Sequence, residues 1–530
     1  MKHLATLTGV FLCSSVSFAT TLPPARPTNL TLTAVSSSQI KLSWTDNSNN
    51  ETGFKIERSR DGTTFVQKYV VGVNVTTYTD SMRQASTTYY YRVRAYDSGG
   101  DSGYSNTANA TTAPSPAPSP TASPRPTLTQ NIWIAKRTDG LPGSGTQADP
   151  FDGSTPAKFD AVLSNYYWTY NLGVHLVGPG PFRTYATHRW AVRPGWVLSG
   201  DGMYSTTLQM AGSVAGIHYG LNCISSDPNI SSDYITIQDL TVDCNWAELS
   251  QTADTGANGE KNIATNAVVL FGSNNIIQRV RAINNYGTWA NSHEMFAISI
   301  SAPKTGNGTN NVIQNCRVEQ PYGNMGNPFA MVGNQSAIPT SLITNSKVVG
   351  CTGIGENTGL TNSFTGGGVN YGFVQNCVID SNTFTDNYSV AYSDQGSADG
   401  VQITNNTLYR GWEGVGICSN VFPKQNILVK GNYLSIQNRV PGGGSYGIAT
   451  TALPTTNLTI DSNIITFDGS GGGLTQFWGI AVYQLTGATI SNNTIGVFNP
   501  AVTNNASGSG LIMFNNRTPV GVLIPELNNR

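Results

Sequence analysis

The chain has 530 residues and a formal net charge of −1, and Asp, Glu, Lys and Arg make up only 11% of it, against roughly 25% in an average soluble protein. That length exceeds one ordinary domain. A near-neutral chain lacks the positive footprint that nucleic acid or an anionic membrane surface requires, so neither is an expected partner.

Lys2 and His3 precede an apolar run from Leu4 to Phe18, and Ser17-Phe18-Ala19 places small residues at a cleavage position. This pattern predicts an export leader over 1–19, cut after Ala19. The run is too short for a membrane span, and Leu12 before Cys13 argues against a lipoprotein signal. With no later apolar stretch of membrane length, the mature protein is expected to be secreted, extracellular and monomeric, without membrane insertion. Six cysteines follow the leader: Cys223, Cys244, Cys316, Cys351, Cys377 and Cys418. Export permits disulfides. Cys418, however, aligns with Ala449 and Ala481 of later units, as a small core residue would. Most are therefore expected to be buried thiols, with one or two bridges as the alternative. No Cys-x-x-Cys or Cys/His spacing supports a metal site.

Residues 24–112 carry short alternating apolar segments separated by turns. They are Ile40-Lys-Leu-Ser-Trp44, Gly53-Phe-Lys-Ile-Glu-Arg58, Thr76-Thr-Tyr-Thr-Asp80 and Thr87-Thr-Tyr-Tyr-Tyr-Arg-Val-Arg-Ala95, after Pro27-Thr-Asn-Leu30. The segment resembles a fibronectin type III module, which implies a seven-strand sandwich with Trp44 in its core and Tyr89 at the corner. Its expected role is a spacer or adhesion module without catalysis. Residues 113–127 are a Pro/Ser/Thr linker whose composition favours extended polyproline II.

The segment 131–220 leads into the rest of the chain. A helix is predicted from about Pro156, followed by Lys158 to Tyr167 at helical spacing. Gly178-Pro-Gly180 and Gly200-Asp-Gly202 are read as turns, since neither has the Lys-Ser/Thr of a phosphate loop.

From about Ile235 to Ile495 one pattern repeats: Val401-Gln-Ile-Thr-Asn-Asn-Thr-Leu408, Leu458-Thr-Ile-Asp-Ser-Asn-Ile-Ile465, Ala488-Thr-Ile-Ser-Asn-Asn-Thr-Ile495. The apolar anchors are Ile237, Ile277, Ile313, Ile343, Ile379, Ile403, Val429, Ile460 and Ile490, with a second apolar residue five positions later. Three positions after the anchor stand Leu240, Val280, Cys316 and Ser346, and then Asn382, Asn406, Asn432, Asn463 and Asn493. Identical side chains at one register should stack if each unit is one turn of a coil, and stacked amides can bond along the stack. Short β-rich units at this loose period read as a solenoid.

Over 128–530 this pattern resembles the secreted right-handed parallel β-helix proteins of the pectate lyase-like superfamily. The fold class expected is therefore all-β, a fibronectin type III sandwich followed by a right-handed parallel β-helix with an N-terminal cap. The resemblance implies a carbohydrate cleft on the sheet whose strands precede the anchors, among them Gly414-Val-Gly-Ile417, Gly447-Ile-Ala-Thr450 and Gly479-Ile-Ala-Val-Tyr483. Long loops lead into that sheet at 243–266, 283–295 and 349–370.

The strings that carry polygalacturonase chemistry in this superfamily (Asn-Thr-Asp, Gly-His-Gly, Arg-Ile-Lys) do not occur here. Nor do the clustered carboxylates of pectate lyases, so no cofactor is expected and calcium has no support in the sequence. What remains is register. Glu413, in Arg410-Gly-Trp-Glu-Gly414, enters a cleft strand, and Asp394 follows the equivalent strand one coil earlier. Coils lie about 4.8 Å apart, so the two carboxylates are candidates for a catalytic pair within roughly 5–10 Å, with Arg410 beside them. Trp412, Trp478, Tyr446 and Tyr392 border the same sheet as candidate sugar-stacking rings. A rival site is Trp289, His293 and Glu294 with Trp246, Asp254 and Glu260. The function expected is a secreted carbohydrate-active protein, a polysaccharide lyase or glycoside hydrolase. The alternative is a non-catalytic extracellular glycan-binding or adhesion protein. In either case the partner is a polysaccharide or cell-surface glycan.

Overall fold

The structure is a computed structural model that describes residues 22–34, 40–80, 83, 87–112, 124–185, 190–217, 220–255, 261, 263–287, 295–319, 322–323, 326–334, 341–355, 367–393, 396–418, 422–437, 444–450, 455–468, 476–482, 485–495, 502–504, 512–514 and 516. The predicted leader, most of the linker, Asp394, Trp289, His293, Glu294 and Glu260 lie outside these residues. The chain separates into two compact units, Met1–Pro118 and Ser119–Arg530.

The first unit is an antiparallel sandwich. Thr28–Ala34, Ile40–Thr45 and Thr77–Asp80 form one sheet, and Val66–Gly72, Gly53–Ser59, Thr88–Asp97 and Ala108–Thr111 form the main part of the other. Period-2 alternation buries Leu42, Trp44, Phe54, Ile56, Tyr89, Tyr91 and Val93 between the sheets. Trp44, the expected core indole, is 5% exposed and packs its ring against Phe54 at 5.6 Å. Asp80 is buried but satisfied by Arg58, Tyr69 and Tyr91, as a buried carboxylate must be.

The second unit is built from parallel ladders. The predicted helix is present as Pro156–Asn165, with Thr155 capping it and Pro156 at its first turn. Its Phe159 and Leu163 enter the core beside Phe182 and Trp190. The two glycine turns hydrogen-bond to each other, the N–H of Gly178 donating to Asp201.

Each circuit of chain then adds one strand to each ladder. In the first ladder Ile237, Ile277, Ile313, Val348, Ile379, Ile403, Val429, Ile460 and Ile490 stand in one register. All nine are fully buried. The fourth anchor is therefore Val348, not Ile343, which lies in a separate short ladder with Gly308 and Val374. The second ladder aligns Val242, Ala282, Val318, Gly353, Phe384, Leu408, Leu434, Ile465 and Ile495. Gly353 in place of the expected Val348 has a packing reason. A Cβ on it would lie 2.7 Å from the ring of Phe384 on the next coil. A third ladder carries Val268, Ile298, Phe329, Val369, Ala391, Val415, Ile448 and Ile480. Its register pairs Gly416, rather than Cys418, with Ala449 and Ala481. Cys418 lies two residues farther on; like the other five cysteines it is a buried thiol.

Two columns of left-handed residues turn the corners. One runs Asp239, Arg279, Asn315, Gly350, Ser381, Asn405, Gly431, Ser462, Asn492; the other runs Tyr234, Asn274, Asn310, Asn345, Asn376, Gly400, Asn426, Asn457, Gly487. All have φ between +49° and +67°, a region that favours Gly and Asn. This is why the repeat is rich in those residues.

Next to the first corner stands the predicted amide column. Asn382, Asn406, Asn432, Asn463 and Asn493 are buried, and Asn516 extends them. The N–H and Nδ2 of each donate to Oδ1 of the next at 2.9–3.1 Å. Each Nδ2 also donates to a backbone carbonyl of the coil before. Cys351 rather than Ser346 precedes Asn382 in this column. Ser346 belongs to a second buried column at the other corner, with Asn275 and Asn311.

Candidate functional site

Asp386 and Arg410 share a third corner, both left-handed, with φ of 57° and 53°. Their strands pair at Thr385 and Tyr409, so the two residues are stacked in register. Arg410 forks onto Asp386 through two bonds of 2.9 and 2.6 Å. Arg410, the candidate expected beside Glu413 and Asp394, forms an ion pair with Asp386 among the described residues.

Two residues past this corner come Tyr388 on one coil and Trp412 on the next. The Tyr388 carbonyl accepts the N–H of Trp412 at 3.1 Å and that of Glu413 at 2.8 Å. The Tyr388 ring meets Trp412 edge-on at 5.3 Å and Tyr392 at 5.5 Å, the arrangement that ring quadrupoles favour. Its phenol and the Glu413 carboxyl influence each other electrostatically. Tyr388 is thus the hub of the cluster, and sequence reasoning missed it.

Glu413 opens the strand Glu413–Ile417 and is only partly exposed. Burial pushes its carboxyl from the ordinary 4.5 up to about 7, and the neighbouring Tyr388 phenol offsets only part of that rise. Burial first, and then the charge of Glu413, push the Tyr388 phenol well above its ordinary value. Tyr388 therefore remains protonated. Glu413 pairs in register with Tyr446, and Tyr446 with Trp478. Tyr446 is partly buried, while the Trp478 side chain lies outside the described residues. Tyr392 covers Gly416 of the next coil, where a Cβ would come within 2.4 Å of its ring. Glu413, Trp412, Tyr392 and Tyr446 are thus gathered around one stretch of this ladder.

Asp394 cannot be placed with them, but its neighbours Ser393 and Gly396 both accept from the buried Lys424 ammonium. At the rival site, Trp246 is 8% exposed and stacked face to face on Tyr286 at 3.7 Å. It packs the core rather than offering a free ring. Asp254 accepts the N–H of Gly216. Among the described residues no group of three or more His, Cys, Asp or Glu is arranged to hold a metal ion.

Comparison with known proteins identifies the first unit. A model of the fibronectin type III domain matches residues 25–111. Residues 25–111 are a fibronectin type III domain. An alpha-amylase of Niallia circulans is 45% identical over 94 residues. The match spans 17% of this chain and 7% of the length of that relative. Among solved structures, a beta-1,2-glucanase from Parabacteroides distasonis is 29% identical, with a TM-score of 0.16, over 18% of this chain and 14% of that one. The fibronectin type III domain of human fibronectin type III domain containing protein 3 is also 29% identical at a TM-score of 0.16, over 21% of this chain and all of that one. No helix among the described residues is long and apolar enough to cross a membrane.

Proposed function

We propose that this is an exported carbohydrate-active enzyme, a polysaccharide lyase or glycoside hydrolase working at the face that carries Glu413. In this reading residues 1–19 are a leader, 24–112 the fibronectin type III domain and 113–127 an extended linker. Residues 128–530 are a capped right-handed parallel β-helix of the pectate lyase-like superfamily. The repeated parallel registers and the corner columns support the fold assignment. The observation that carries the function is the Glu413 carboxyl, pushed up to about 7 by burial among Tyr388, Trp412 and Tyr392. A carboxyl tuned toward neutrality serves as general acid toward a leaving glycosidic oxygen. Tyr392, Trp412, Tyr446 and Trp478 supply flat rings for sugar faces, and Asp394 is the proposed second carboxylate. The similarity of a short segment to an alpha-amylase supports a carbohydrate partner. A second reading, a glycan-binding or adhesion protein without catalysis, is favoured by the commitment of Arg410 to Asp386.

The test is a panel of polysaccharides incubated with the purified protein. Absorbance of unsaturated products reports a lyase and new reducing ends report a hydrolase. Retention on a polysaccharide with neither signal supports the binder. Full activity in Glu413→Gln would remove the residue on which the proposal rests.

A further inference from the structure

We propose that the outward face of the second ladder carries a binding surface at Arg281 and Arg317 for the carboxylate or sulfate groups of an acidic glycan. It lies on a different ladder from Glu413. The inference rests on the reading of a glycan partner and not on any reaction of Glu413.

The register puts like charges together. Arg281 pairs with Arg317 on the next coil, and the residues that follow them, Ala282 and Val318, are buried in the core. The two arginines therefore leave the outer face roughly 4.8 Å apart, with side chains 27% and 32% exposed. Like charges directly opposite one another repel, and charged residues are only 11% of this chain. One carboxylate offsets the pair. Arg281 bonds Oε2 of Glu319 through Nε and Nη2, and Arg317 bonds Oε1 through Nε alone. Both oxygens of Glu319 are engaged, and one positive charge is left over. The Nη1 and Nη2 groups of Arg317 donate to nothing among the described residues. That edge of a guanidinium is a planar fork that matches two oxygens of a carboxylate or a sulfate.

The neighbouring charges are committed elsewhere. Arg279 forks onto Asp239 through bonds of 2.6 and 2.8 Å. The Asp243 carboxylate, one coil earlier, is buried and accepts from the Gln209 and Asn284 side chains and the N–H of Asn245. A ring stands beside the pair. Tyr204 is 71% exposed, and the Arg281 guanidinium lies 5.5 Å from the centre of its ring. Thr241 is the register partner of Arg281 one coil earlier. Its hydroxyl donates to the carbonyl of Met203 at 2.6 Å and so holds the turn that presents Tyr204. A flat ring beside an unfilled cationic fork suits a sugar face that carries an acidic substituent. A small inorganic anion would use the fork and leave the ring without a role.

The experiment is affinity electrophoresis of the full chain in gels holding dextran, carboxymethyl-dextran or dextran sulfate, which are one neutral backbone and its two acidic derivatives. The acidic gels should retard the protein and plain dextran should not. The derivative that retards it more tells a carboxylate ligand from a sulfate. Arg317→Gln should raise Kd by roughly tenfold or more. Arg317→Lys should fall between, because an ammonium keeps the charge and loses the fork. Glu319→Gln should act with the opposite sign and tighten binding, since it frees both guanidinium groups from their shared carboxylate. Arg279→Gln removes an equal charge from a paired site and should stay within about twofold of wild type. Wild type that passes the acidic gels unretarded, or is retarded equally by plain dextran, overturns the proposal. So does binding within about twofold of wild type in both Arg317→Gln and Glu319→Gln, or a loss in Arg279→Gln as large as that in Arg317→Gln. Retention that depends on Arg317, in a protein whose Glu413→Gln variant keeps full activity, upholds this surface and refutes the reading of Glu413.

Discussion

Glu413→Gln should make the protein more stable at alkaline pH, although it removes the proposed acid. In the fold the carboxyl is raised from 4.5 to about 7. The folded state therefore binds this proton more tightly than the unfolded chain does. The stability it contributes is fully present below about pH 4.5 and is lost as pH rises through about 7. At about 1.4 kcal/mol per tenfold in acidity, the full loss is about 3–4 kcal/mol. Water at the exposed edge of the residue makes that figure a ceiling. Glutamine has nearly the same shape and does not ionise. The difference between the two proteins should thus grow by about 2–3 kcal/mol in favour of the variant between pH 4.5 and pH 8. Urea denaturation of both full-length proteins at matched pH measures it. Groups common to the two, such as Asp152 and Asp461 with their lowered values, cancel in the difference. A constant offset across the range would mean that the carboxyl titrates as it does in water, and the site would lose its acid at neutral pH.

Asn432→Leu should cost on the order of 1–3 kcal/mol, because the N–H and Nδ2 of Asn406 lose their shared acceptor inside the core; an unchanged unfolding midpoint would argue against the amide column. Gly353→Val should destabilise by about 1–3 kcal/mol through collision with Phe384. Phe384→Leu in the same chain should recover part of that loss, and equal costs in both backgrounds would show that the clash is not the cause. Limited proteolysis should cut within 113–127 and release two folded fragments; a C-terminal fragment without sheet structure by circular dichroism would place the boundary elsewhere.

The sandwich was legible because its signal is local. Alternating strands and a buried Trp44 can be read within single segments. The coil was legible where chemistry repeats, at the apolar anchors and at Asn382 through Asn493. Among the anchors it failed at one unit. From Ile313 to Val348 and on to Ile379 the spacing holds near the others, but Ile343 offers a tempting apolar residue five positions early. Only backbone pairing assigns that residue to a different ladder. The cluster around Glu413 shows a further limit. Tyr388 precedes Trp412 by the same interval that separates Asn382 from Asn406, so the register that revealed the amide column already held Tyr388 under Trp412. It went unread because identical residues advertise a register, whereas a tyrosine beneath a tryptophan does not. Arg410 shows a complementary feature of such a chain. It stands three residues from Glu413 in sequence, but in a coiled chain the nearest partner of a corner residue is the corner one coil away. Sequence proximity therefore misleads most at the corners of such a fold, which is where this site is built.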